Sequence, residues 1–120
     1  MTESQNQPKW DLEERTAKFA EEVIDFCRTV NETTIIKPII SQLIRSATSI
    51  GANYCEADDS ESKKDFKHKI SICKKEARET KHWLRMLAKA TSERKEEIQK
   101  LWQEAKELHL IFNTIYRKLS

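Results

Sequence analysis

One glycine and two prolines in 120 residues leave little from which to build tight turns. Sheets closed by hairpins need glycine, proline or Asn-Gly pairs at their corners, so a sandwich, a barrel and a doubly wound sheet are all excluded. A phosphate-cradling loop needs several glycines within a short span and is excluded with them. The cysteines, Cys27, Cys55 and Cys73, are odd in number and widely spaced. Without a Cys-x-x-Cys pair there is no zinc or dithiol motif. No apolar run approaches the roughly 20 residues of a membrane span, and the opening Met1-Thr2-Glu3-Ser4-Gln5-Asn6-Gln7 has no secretory apolar core. A soluble cytoplasmic chain with no membrane partner is expected. Charge of one sign is lacking too: 22 Lys+Arg against 20 Asp+Glu leave a net +2. Global charge therefore argues neither for nor against a nucleic-acid partner, and distribution must decide.

What is present is helical periodicity. A chain of this length buries roughly two-thirds of its unfolded surface, enough for one core without staples. Residues 1–10 are polar, contain Pro8 and read as a flexible leader; residues 11–120 read as one domain. Asp11, with Glu14 three places on, suits a helix start. The apolar or small positions Leu12, Thr16, Phe19, Val23, Phe26 and Val30 then alternate spacings of four and three, a heptad seam. Asn31 to Lys37 is a connection, and Pro38 suits the first turn of a second helix. That helix has the seam Ile40, Leu43, Ala47, Ile50, Tyr54 and Ala57. Ser62 with Asp65 opens a third, with seam Phe66, Ile70, Cys73, Ala77, Thr80, Leu84 and Leu87. Thr91-Ser92 is expected to cap a fourth, with Glu93, Glu96 and Glu97 near its positive end and seam Ile98, Leu101, Ala105, Leu108, Phe112, Ile115 and Leu119. Four amphipathic helices on short loops make an all-α, antiparallel, up-down-up-down four-helix bundle the expected fold.

Two faces stand apart from these seams. The second helix carries a further row, Ile44, Thr48, Gly51 and Cys55, with Ser46, Ser49 and Asn53 on its other side. A mid-helix glycine costs about 1 kcal/mol against alanine, which close approach of another backbone offsets. Two readings fit: an interface between copies of the chain, or tight packing inside one copy. The row Ala17, Ala20, Ile24 and Cys27 of the first helix matches it. The third helix carries Lys63, Lys67, Lys74, Arg78, Lys81 and Arg85 along one flank, interrupted only by Ser71. Six cations over about 33 Å match the scale on which a phosphate backbone presents charge. The plainer alternative is a solvated face with acidic neighbours on another helix. Aromatics do not alternate with these cations along the helix, so RNA or DNA backbone contact is expected and base stacking is not. The other flank carries Asp65, Lys69, Ile72, Glu76 and Trp83, where an ion pair to Arg45 or Arg15 is expected; an interface and a polar rim within one bundle fit it equally.

Catalytic and metal chemistry find no support. Glu79-Thr80-Lys81-His82 matches a di-iron Glu-x-x-His locally, but both ligands face outward and the second such motif is absent. His68, His82 and His109 form no i, i+4 pair on one face. No cysteine has a local histidine as base. No enzyme activity, no metal and no cofactor are expected.

The string Asp11-Leu12, Arg15-Thr16, Phe19, Val23, Phe26 is followed by Gln42-Leu43, Arg45-Ser46-Ala47, Ser49-Ile50, Ala52-Asn53, Glu56-Ala57. It continues through Ser62-Lys63-Lys64-Asp65-Phe66, Lys69, Glu76-Ala77, Glu79-Thr80 and Trp83-Leu84. This resembles the bacterial four-helix bundle proteins encoded in intervening sequences of 23S ribosomal RNA genes, closely over about residues 11 to 88. The resemblance implies a left-handed bundle, assembly as a homopentamer and no catalytic site. That family is similar in fold to the accessory variability protein of diversity-generating retroelements, a basic pentameric barrel that binds a reverse transcriptase and nucleic acid. A reverse transcriptase is thereby implied as an alternative partner.

Overall fold

The structure, a computed structural model, describes residues 11–119. The expected leader, residues 1–10, and Ser120 lie outside the described residues. Four helices carry the chain: α1 Leu12–Arg28, α2 Ile36–Asp58, α3 Lys63–Ala90 and α4 Lys95–Lys118. Among the described residues there is no strand, and no helix is long and apolar enough to cross a membrane.

The starts of α1 and α3 follow the capping chemistry in the sequence. The Asp11 side chain accepts from the Glu14 amide at 3.1 Å, and Ser62 Oγ accepts from the Asp65 amide at 3.0 Å. Each satisfies an amide that has no partner within the helix. The start of α2 comes two residues before Pro38, with Thr33 Oγ1 accepting from the Ile36 amide at 3.2 Å. The start of α4 differs from expectation. Ser92–Arg94 form a single 3-10 turn, and α4 begins at Lys95 without a side-chain cap. Thr91 is buried and donates its hydroxyl to Glu93 Oε2 at 2.8 Å, so the carboxylate expected to face the helix end is held by the threonine instead.

Each helix packs on its neighbours in sequence, and α1 also meets α4. The expected seams supply the core. Every position of the first seam is buried, as are Leu43, Ala47 and Ile50 of α2, Ile70 to Leu87 of α3, and Ile98 to Phe112 of α4. Only Tyr54, Phe66, Ile115 and Leu119, toward the helix ends, remain part-exposed. The polar atoms inside are accounted for. Thr16 Oγ1 returns to the Leu12 carbonyl at 2.7 Å. Thr80 Oγ1 lies 2.8 Å from the Glu76 carbonyl and 2.9 Å from Ser46 Oγ, and Ser46 Oγ lies 3.1 Å from the Leu43 carbonyl. Satisfied in this way, buried hydroxyls escape the desolvation penalty of unpaired ones.

The core also silences two thiols. Burial pushes Cys27 up to about 11 and Cys73 up to about 12, while Cys55 is exposed. Thiolate is the reactive species. At pH 8 a disulfide reagent is therefore expected to titrate no more than one thiol per folded chain and three after denaturation. Rapid reaction of a second thiol in the native protein would contradict this packing.

Candidate nucleic-acid interface

The Ser62 cap sets the phase of α3, and its buried seam then turns one flank toward α4. Lys63, Arg78 and Arg85 are exposed on that flank; Lys67, Lys74 and Lys81 are half-buried. The three half-buried lysines lean on α4. Lys67 and Lys74 place their ammonium groups 5.0 and 4.4 Å from the Tyr116 ring centre, and Lys74 Nζ lies 3.5 Å from Asn113 Oδ1. Lys81 Nζ lies 3.3 Å from His109 Nδ1 and 5.8 Å from the Trp102 ring centre. Lys106 approaches the same ring at 5.7 Å.

Burial, and then the charges of Lys81, Arg78 and Lys74, hold His109 below its ordinary value. An ammonium group has only donors, so the neutral imidazole accepts at Nδ1.

Acidic neighbours do not cancel this row. Among the described residues, none of the six cations makes an ion pair. Glu76 and Glu79 of α3 and Glu104 and Glu107 of α4 are engaged elsewhere. Arg15 of α1 takes Glu104 at 2.8 Å and Glu107 at 2.9 Å, and both contacts raise its pKa, the Glu104 hydrogen bond most. On the opposite flank of α3, Arg45 takes Glu79 at 2.7 Å and Glu76 at 3.3 Å, while Lys69 pairs with Glu56. Of the two arginines expected to pair with this flank, Arg45 does so, and Arg15 pairs with α4 instead. The bundle thus divides into ion-paired flanks and one cationic groove between α3 and α4.

Aromatics are absent from the row along α3 but present in space, contributed by α4. Trp102, His109 and Tyr116 recur every seven residues, matching Lys67, Lys74 and Lys81 on α3. That shared heptad was the available signal. Reading each helix alone hides it, because the two series lie on different elements.

The α2 row is divided by the structure. Gly51 faces α1: a Cβ there would sit 3.0 Å from Thr16 Oγ1 and 3.3 Å from Thr16 Cβ. Its small size serves a close approach within the chain. Ile44 and Thr48 are half-buried, and Cys55 is exposed. Thr48 Oγ1 donates to the Ile44 carbonyl at 2.8 Å. Two apolar faces lie elsewhere. Ile35, 70% exposed, sits with Ile39, Trp83 and Met86 beside a cavity of about 610 Å³. Leu110, 53% exposed, sits with Leu12, Tyr54, Ile111 and Ile115 beside one of about 440 Å³. Among the described residues, no group of three or more His, Cys, Asp or Glu side chains is placed to hold a metal ion.

The family model described as 23S rRNA-intervening sequence protein matches residues 9–114. Among solved structures, the chain is similar to a protein of unknown function from the S23 ribosomal protein family of Bacteroides thetaiotaomicron. The two share 28% identity and superpose with a TM-score of 0.76 over 87% of this chain and 96% of that one. No curated protein matches the sequence.

Proposed function

Because the chain belongs to the 23S rRNA-intervening sequence protein family, we propose that it is a non-enzymatic, homo-oligomeric four-helix bundle that contacts RNA or DNA backbone through the α3 flank. The observation that carries this is the row Lys63, Lys67, Lys74, Arg78, Lys81 and Arg85, without an ion-pair partner among the described residues. Uncompensated cations at this spacing suit phosphates and carry no sequence code. The antiparallel order rests on paired registers: Arg45 of α2 meets Glu76 and Glu79 of α3, whereas Glu56, further along α2, meets Lys69, earlier in α3. The left-handed supercoil is what the family resemblance implies, and the heptad spacing of the four seams suits it.

Assembly, as a pentamer, is part of the same reading. The faces around Ile35 and Leu110 differ in composition, and two unlike patches meeting head to tail close a ring when the rotation allows. Ile44, Thr48, Gly51 and Cys55 remain the α2 candidates for that interface, although Gly51 is already engaged by Thr16. The same apolar faces favour a second reading, an adaptor that docks a protein such as a reverse transcriptase. That reading entails co-purification of the partner and indifference to free nucleic acid.

One pair of measurements tests the proposal. Affinity for a generic structured RNA should fall at least ten-fold when Lys67, Lys74, Lys81 and Arg85 are all changed to Glu. The salt dependence of that affinity should become shallower by about 0.9 logarithmic units for each cation removed. Unchanged affinity in a variant that keeps its helical circular dichroism would remove the nucleic-acid reading. Sedimentation should give a multiple of 14.1 kDa; a monomer at micromolar concentration would remove the assembly.

A further inference from the structure

At the Lys95 end of the cationic groove, α3 and α4 line an open pocket of about 390 Å³. Leu84 and Ile98, both buried, and the half-buried Ala88 contribute apolar surface, and Trp102 joins them in the lining. Arg85, Lys95 and Gln99 also line it and are exposed. Among the described residues these three side chains make no ion pair, and none of them donates or accepts a side-chain hydrogen bond. Lys81 and Lys106 bring two further ammonium groups within 6 Å of the Trp102 ring centre.

An apolar pocket of this size, walled by an indole and rimmed by cations and an amide, falls within the usual range for a small ligand. A phosphate backbone alone would leave the indole and the amide unused. A free carboxylate or phosphate would leave the apolar floor wet. An unpaired nucleobase uses all of them: a π-face for Trp102, polar edges for the Gln99 amide, and flanking phosphates for Arg85 and Lys95. We propose that this pocket receives an unpaired base of a single-stranded polynucleotide whose backbone follows the row from Arg85 toward Lys63. Tyr116 offers a second ring about four turns along α4, beneath Lys67 and Lys74. Those lysines now cover its face. Stacking of a base on that ring displaces the lysines and frees them for phosphate.

This inference rests on the nucleic-acid reading of the α3 flank and narrows it from any polyanion to single strands. The test uses anisotropy of three labelled probes with the full chain: a short oligothymidylate, an abasic deoxyribose-phosphate strand of the same length, and the corresponding duplex. The oligothymidylate should bind about ten-fold more tightly than the abasic strand, and also more tightly than the duplex. Trp102→Leu keeps apolar bulk against α3 while removing the stacking face; it should abolish the preference over the abasic strand. Trp102→Phe should restore part of the preference, which bulk alone would not do. Equal binding of oligothymidylate and abasic strand, or a preference that survives Trp102→Leu, overturns the base site and leaves the phosphate row standing. Failure of all three probes to bind overturns both.

Discussion

Raising monovalent salt from about 50 to about 200 mM is expected to weaken binding of a single-stranded RNA by about three-hundredfold, with a logarithmic slope near −4 for about six neutralised phosphates. The size of the effect follows from the lack of ion-pair partners. A lysine taken from a salt bridge must break one interaction to make another, and its net counterion release is small. Lys63, Lys67, Lys74, Arg78, Lys81 and Arg85 have no such pairing among the described residues. Arg15 and Arg45 serve as internal controls. Each already holds two carboxylates, so Arg45→Gln should change the slope little while Lys74→Gln lowers its magnitude by about one. A slope shallower than about −2 would mean that the row does not act as a unit.

The same row weakens the free protein. Lys63 and Lys67, Lys74 and Arg78, and Lys81 and Arg85 are like charges at i, i+4, each pair destabilising a helix by about 0.2–0.5 kcal/mol. Lys67 and Lys74 recover part of this over Tyr116, at about 0.5–1 kcal/mol for an exposed cation on a ring. A bound polyanion relieves the repulsion, so binding and thermal stabilisation should rise together as salt is lowered.

The seams were legible in the sequence because burial of one helical stripe depends on spacing alone. Leu12 through Val30, and Ile98 through Phe112, went inside as their heptads require. Asp11 and Ser62 were legible because a cap is a contact over three residues. Contacts between helices were not. Small size at Gly51 marks close approach without saying whose backbone approaches, and the structure supplies Thr16 of the same chain. Lys81 shares a heptad with Trp102, His109 and Tyr116, but the sequence does not say that the two series face each other. That information lies in the register between α3 and α4, set by core side chains on both. The start of α4 was missed for a related reason. Thr91 is an ordinary cap by local chemistry, but its burial and its bond to Glu93 turn the next residues into a 3-10 turn.

Phe112→Ala is expected to lower unfolding free energy by about 3–5 kcal/mol, whereas Leu110→Ala, two residues away, should change it by no more than about 0.5 kcal/mol. The contrast follows from phase. Phe112 is 0% exposed, and its ring meets Tyr54 at 5.9 Å, tilted by 50°. Alanine there removes the transfer term and leaves a hole that the neighbouring helices cannot collapse into without moving. Leu110 is 53% exposed, and its side chain already faces mainly water. Against a total stability of about 5–15 kcal/mol, the first substitution removes a large share, and the midpoint should fall by more than about 10 °C. Urea curves at one fixed protein concentration measure both, with m unchanged if only stability differs. Fixing the concentration matters because association adds to apparent stability by mass action. Repeating the curves at several concentrations separates the two roles of the helix: a Leu110→Ala loss that grows at high concentration would reflect the face between copies, while a Phe112→Ala loss independent of concentration reflects the core. Equal losses at both positions, at every concentration, would mean that the α4 seam is phased differently from the one described.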